Sequence, residues 1–119
     1  MLRIVEAEAG GEDRIGKLLV ANVIINRVNH EDFPDTVTDV IFQRENGVSQ
    51  FSPVRDGRIY EVSVSEETKE AVDAALYGQD ESEGALYFMA RKYVNHKKAR
   101  WFDQNLKYLF EHGGHEFFL

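Results

Sequence analysis

Three carboxylates crowd one short stretch, Arg3-Ile4-Val5-Glu6-Ala7-Glu8-Ala9-Gly10-Gly11-Glu12. Arg3 to Ala9 consists of good helix formers with two β-branched residues, whereas Gly10-Gly11 costs about 1 kcal/mol per residue in a helix interior and suits a C-terminal cap. A helix should therefore stop there, with Glu8 in its last turn. A carboxylate at that place feels the negative end of the helix dipole, and partial burial would disfavour its ionised form further. Both effects favour a general acid. A Glu near a helix end is far more often a solvated surface residue, so the rest of the chain must carry the argument.

The two neighbouring acids read differently. Glu6 lies two residues from Glu8, about 200° round a helix, and should point away from any site that Glu8 serves. Glu12 would share Glu8's face in a continuous helix, but the glycine pair breaks it. Glu12 then serves the start of a second helix.

That second helix runs from Glu12 to Val28, with acids in its first turn and apolar residues at Ile15, Leu18, Leu19, Val23 and Ile25 on more than one face. It should be central and covered on most sides, with Gly16 marking close packing. Asn22 and Asn26, four apart on one face, are either exposed or bonded to a neighbouring loop held near Glu8. Asn29 to Asp35 is a polar turn region, after which Thr36 can cap a short helix through Phe42. Gln43 to Gly57, with Gly47, Pro53 and Gly57 around Gln50-Phe51-Ser52, reads as loop or short hairpin rather than core.

Ser63-Val64-Ser65-Glu66 has capping-box spacing and opens a helix through Leu76, closed by Gly78. Gln79 to Gly84 is an acidic turn. Its acids have the residue type for Ca²⁺, but a solvated turn is the commoner use of such a run. Ala85 to Met89 reads as a strand, Lys92 to Leu106 holds a short helix near Trp101, and Tyr108 to Phe118 folds as a hairpin about Gly113-Gly114. Helices leading and short strands following predict an α+β domain spanning residues 1–119. A helical pattern already under way at Leu2, with no capping residue before it, suggests the catalytic piece of a longer chain whose targeting segment lies elsewhere.

Composition narrows the chemistry. The 119 residues are 43% apolar and 29% charged, enough for a core without staples. Without cysteine, thiol nucleophiles and Cys-type zinc sites are excluded. Fourteen Lys and Arg against 21 Asp and Glu give a net charge of −7, which argues against nucleic acid and anionic membranes as general partners. No run of about 20 apolar residues would insert in a bilayer. The four histidines lack His-x-x-x-His spacing, so His112 and His115 read as structural and a metal-assisted amidase or peptidase is disfavoured. Arg91, Lys92, Lys97, Lys98 and Arg100 form the one basic cluster, a solvated face by default.

Glu8-Ala9-Gly10-Gly11-Glu12 resembles the Glu-Ala-x-Gly-Glu hallmark of the spore-cortex-lytic cell-wall hydrolase family (SleB/CwlJ type). Gly16 to Val28, with its Val-x-x-Asn-Arg ending at Arg27 and Val28, looks like that family's second helix. Phe33-Pro34-Asp35-Thr36, Val40-Ile41-Phe42-Gln43, Gln50 to Gly57, Ala71-Val72, Ala75 to Gly78 and Ala85 to Phe88 also match. The resemblance covers almost the whole chain. In many relatives the position of Glu6 is a neutral polar residue.

The resemblance implies a small lysozyme- or lytic-transglycosylase-like domain, mainly helical, with short hairpins beside a groove. It implies cleavage of peptidoglycan between N-acetylmuramic acid and N-acetylglucosamine, in cortex degradation at germination or in wall remodelling, outside the cytoplasm. The family's catalytic Glu falls on Glu8. A single acid suffices for lytic transglycosylation to 1,6-anhydro-muramic acid ends, with no cofactor required, whereas hydrolysis would need a second group to hold water. Asp56 is the remaining candidate for that, although a turn role ahead of Gly57 is the commoner one. Gln50, Phe51, Ser52, Asp56, Tyr87 and Trp101 are the expected substrate-binding residues, Trp101 being evenly poised between stacking platform and core. The basic cluster is a candidate to meet stem-peptide carboxylates. A non-catalytic peptidoglycan-binding module would use the same groove, and any accessory protein is beyond what the residues say.

Overall fold

Helix α1 (Leu2–Ala9) ends at the glycine pair, with Glu8 in its last turn, in a computed structural model that describes residues 1–45 and 47–119. Gly10 is the C-cap, as the sequence suggested, with its backbone still in the right-handed helical region. It is needed for close approach. A side chain there would press on the carbonyl of Glu6 at 2.6 Å and on the Glu6 carboxylate.

Helix α2 (Arg14–Val28) begins at Asp13, whose carboxylate accepts the Gly16 amide at 2.8 Å. Its sequence is apolar nearly all round, and the fold explains why. Leu18, Val20, Ala21 and Ile24 pack into one core with Ile4, Val5 and residues of the later helices. Leu19 and Val23 face a second core containing Ala85 and Phe117 of the sheet side. The helix thus sits between a helical layer and a sheet, and each fully buried Leu, Ile or Val contributes about 1.5–3 kcal/mol as an upper estimate. Lys17 is accommodated in this buried helix by donating to Glu67 at 2.9 Å.

Thr36 caps α3 (Val37–Ile41) by accepting the Asp39 amide at 3.1 Å. The stretch expected to be loop or hairpin forms both a two-residue hairpin, β1 (Arg44–Glu45) with β2 (Val48–Ser49), and a short helix α4 (Ser52–Arg55) leading to a 3-10 turn, Arg58–Tyr60. Position 46 of that stretch lies outside the described residues. The stretch is not peripheral, because Phe51, Pro53 and Ile59 are buried. Proline at the start of α4, where a missing amide is harmless, turned an apparent breaker into an initiator.

Helix α5 (Glu66–Leu76) is capped by Ser65 rather than Ser63. Ser65 Oγ accepts the Thr68 amide, and the reciprocal carboxylate comes from Glu6 of α1, not from the local Glu66. Strand β3 (Tyr87–Met89), helix α6 (His96–Asn105) and the hairpin of β4 (Tyr108–His112) with β5 (His115–Phe118) complete the chain. The antiparallel sheet has the order β3-β5-β4, pairing Tyr87 with Phe118 and His112 with His115. The fold class is α+β. Among the described residues no helix is long and apolar enough to cross a membrane.

Candidate active site

A cleft of about 1330 Å³ runs between three groups of elements. The end of α1 and its turn bring Ala7, Glu8, Ala9, Gly11 and Glu12, the stretch from β1 to the 3-10 turn brings Gln50, Phe51, Ser52, Arg55 and Arg58, and β3 with α6 brings Tyr87, Lys98 and Trp101.

Glu8 is half-buried at this cleft. Loss of solvation raises its pKa to about 7, and the cations Arg58, Lys98 and Arg55 pull in the other direction through space, while Asp56 adds to the rise. The carboxyl is therefore poised between protonated and ionised near neutral pH, as a group that must first give and then take a proton requires. The neighbouring acids have different work. Glu6 does not border the cleft; its pKa is lowered, first by the Ser65 amide. Glu12 does border the cleft, but it does not serve α2 as the sequence suggested. It accepts the Gly114 amide at 3.0 Å and tethers the α1–α2 turn to the β4–β5 turn. Gly113, at φ +57°, leaves the space that the Glu12 carboxylate fills.

Gln50, Phe51, Ser52, Tyr87 and Trp101 border the cleft with Glu8. Their surroundings differ. Gln50 donates to Glu45 at 3.0 Å, and the Ser52 hydroxyl accepts from Arg58 at 2.9 Å. Phe51 is a core residue with one edge toward the cleft, only 4% exposed. Trp101 is in T-shaped contact with Tyr87 and Phe102 but 48% exposed, so it has indole surface free for stacking. Asp56 is not among the lining residues. Its carboxylate accepts the Arg58 backbone amide at 3.0 Å and pairs with the Arg58 guanidinium at 2.9 Å, the turn role described above. That engagement lowers its pKa.

The basic cluster divides. Arg91 is taken by Asp103 and Glu116, each at 2.8 Å, and Lys92 does not border the cleft, whereas Lys97, Lys98 and Arg100 do. His112 bonds Asp13 at 2.8 Å. His115 borders the cleft beneath Phe88, with its Nδ1 buried and without a partner, and burial lowers its pKa. Among the described residues no group of three His, Asp or Glu is placed to hold a metal ion, the acidic turn included.

Asn22 and Asn26 are bonded rather than exposed. Asn22 bridges the Gln79 carbonyl and the Glu81 amide, and Asn26 donates to Ser82 and the Ala85 carbonyl. The loop that they hold does not itself border the cleft; the strand that follows it does. Arg27 completes this edge, its Nε donating to the Leu86 carbonyl at 2.7 Å and its guanidinium lying 4.9 Å from the Phe33 ring centre and 5.2 Å from those of Phe51 and Tyr87. Sequence reasoning missed Arg27 as a site residue, along with Arg55 and Arg58. The available signal was a charged residue in the last turn of a helix whose middle is nearly continuously apolar.

Residues 11–118 match the family model described as Cell Wall Hydrolase. The chain is 44% identical over 88 residues to the spore cortex-lytic enzyme of Halalkalibacterium halodurans and 41% identical over 88 residues to that of Bacillus subtilis, matches covering 74% of this chain. They cover 25% and 27% of those proteins, so the match spans about a quarter of each relative's length. The catalytic domain of the germination-specific lytic transglycosylase SleB from Bacillus anthracis superposes with a TM-score of 0.83 at 34% identity, covering 100% of this chain and 90% of that one. The catalytic domain of the Bacillus cereus SleB protein gives 0.78 at 31% identity, covering 100% and 86%. With nearly the full length matched by the family model and the whole fold shared with two catalytic domains, the chain belongs to the cell wall hydrolase family, as an enzyme domain.

Proposed function

We propose that this domain cleaves the glycan strand of peptidoglycan between N-acetylmuramic acid and N-acetylglucosamine as a lytic transglycosylase, outside the cytoplasm, in cortex degradation at germination or in wall remodelling. One observation carries the reading: Glu8 is the cleft carboxyl whose pKa is raised to about 7, while Asp56 and Glu12 are held by hydrogen bonds to other parts of the chain. The names of the relatives, spore cortex-lytic enzyme and germination-specific lytic transglycosylase, support the same chemistry.

In this mechanism the protonated Glu8 gives its proton to the bridging oxygen as the bond from that oxygen to the muramoyl C1 breaks. The N-acetyl group of the sugar or local dipoles steady the oxocarbenium-like centre. Glu8, now a carboxylate, takes the proton of the C6 hydroxyl as that oxygen closes on C1. The product is a 1,6-anhydro sugar, and Glu8 is restored. The attacking hydroxyl is already tethered, so proximity favours it over a free water.

Mass spectrometry of fragments released from purified peptidoglycan tests the proposal. Anhydro-muramic acid ends, lost with Glu8→Gln, are the expected result. Fragments heavier by about 18 Da, from water addition, would replace it with a muramidase. Glycan binding without release of fragments would leave a binding module.

A further inference from the structure

The glycan-cleaving reading leaves open which group of the substrate the cleft holds, and Arg27 addresses that on the strength of the same reading. Arg27 is 6% exposed. None of the ion pairs among the described residues includes it. Its Nε is satisfied by Leu86, and the faces of Phe33, Phe51 and Tyr87 offset part of its desolvation. The two Nη groups have no acceptor among the described residues, yet they are not among the buried atoms lacking a partner, which are Gln43 Oε1 and His115 Nδ1. They therefore open on the cleft that Arg27 borders.

A buried cation that no carboxylate among the described residues contacts directly, and that Glu8 attracts only through space, is expensive for a fold to keep unless something supplies the charge. Burial lowers the pKa of Arg27 to about 10, which leaves it a cation at neutral pH. Six Lys and Arg side chains border the cleft against four Asp and Glu, on a chain whose net charge is −7. The cleft is thus a local cationic site on an acidic molecule. A guanidinium fork matches a carboxylate in both charge and shape, better than it matches a single carbonyl oxygen.

We propose that Arg27 anchors a carboxylate carried on the muramoyl side chain of the glycan, so that the cleft selects strands bearing that charge beside the bond whose oxygen Glu8 protonates. Two sources offer the same group: the lactyl carboxylate of a peptide-free muramic acid, or a carboxylate of the peptide stem.

Titration calorimetry with the Glu8→Gln protein separates them, using soluble peptide-free oligomers and stem-bearing oligomers, each native or converted to methylamides. The expected result is a loss of roughly tenfold or more in affinity on neutralising one of the two oligomers, which names the source. Adding Arg27→Met should weaken the native ligand by a similar factor and abolish the difference. Arg27→Lys, which keeps the cation and loses the fork, should retain part of the preference and serves if Arg27→Met does not fold. Equal binding of native and neutralised oligomers of both kinds would overturn the proposal, as would a preference unchanged in either Arg27 variant. Cleavage by the Glu8-intact protein is measured in parallel. Cleavage without carboxylate dependence sinks this inference alone; carboxylate-dependent binding without cleavage sinks the glycosidase reading alone.

Discussion

The Glu6 carboxylate accepts the Thr68 hydroxyl at 2.7 Å, and the same oxygen accepts the Ser65 amide at 2.9 Å, so a residue of α1 braces the cap that Ser65 provides for α5. Two positions further along α1, the carboxyl of Glu8 meets the cleft with no such donors among the described residues, and its pKa moves in the opposite direction. Helical geometry separates the two by more than half a turn, and their surroundings do the rest.

Glu6→Ala should destabilise the domain by about 1–2 kcal/mol, the usual worth of a helix cap with a second hydrogen bond, and leave kcat within a factor of about two. Because the folded-state pKa of Glu6 is depressed, its contribution is present above the ordinary carboxylate range and is lost as pH falls through the lower folded value. Urea unfolding of wild type and variant at several pH values checks both statements, their curves converging in acid. A loss of kcat without a loss of stability would place Glu6 in the chemistry.

Glu8→Gln should show the reverse pattern. Loss of the proton donor lowers cleavage by about 10²–10⁴-fold. The folded pKa of about 7 lies above the ordinary 4.5, so Glu8 favours the folded state below 4.5 and that advantage is lost as pH rises to 7. At pH 8 the neutral glutamine removes a buried charge, and the variant should be more stable than wild type by up to about 3 kcal/mol. At pH 4 the two should unfold together. A variant less stable than wild type at pH 8 would contradict the burial argument.

The opening of the chain was legible because its signals are local: a run of helix formers, a glycine pair and a carboxylate two residues before it. The capping of α3 by Thr36, the hairpin about Gly113-Gly114 and the covered helix α2 were legible for the same reason. What escaped was non-local. Ser65 looked like the third residue of a capping box opened by Ser63, because its true carboxylate partner, Glu6, lies 59 residues away in sequence. Glu12 reads locally as part of the nearest helix, whereas its partner is Gly114, 102 residues away. Arg27 passed as the last turn of a helix because nothing in its own neighbourhood reveals the three aromatic rings that tertiary structure gathers round it.

Lys98 offers a test of how the cleft sets the acidity of Glu8. Its ammonium lowers the Glu8 pKa and is itself lowered by burial and by Arg55. Lys98→Met should therefore move the alkaline limb of the kcat/KM profile to higher pH, because Glu8 stays protonated further into the alkaline range. A limb that moved to lower pH, or stayed where it was, would show that Lys98 does not act on Glu8. Arg91→Met serves as a control for charge alone, since Arg91 is already paired with Asp103 and Glu116 and should leave the limb in place.

Trp101 bears on whether the cleft grips sugar faces. It is in T-shaped contact with Tyr87 and Phe102, with ring centres at 6.4 Å and 5.9 Å, yet stays 48% exposed, which leaves indole surface open to a ligand. Such contacts are worth about 0.5–1.5 kcal/mol each beyond area burial, so Trp101→Ala should weaken glycan binding by roughly three- to tenfold. A platform remote from the scissile bond holds ground state and transition state alike, and the loss should appear in KM with kcat nearly unchanged. Trp101→Phe, which keeps an aromatic face, should recover most of the affinity. Equal falls in kcat and kcat/KM would instead show that Trp101 is felt only in the transition state and sits beside the bond that Glu8 protonates.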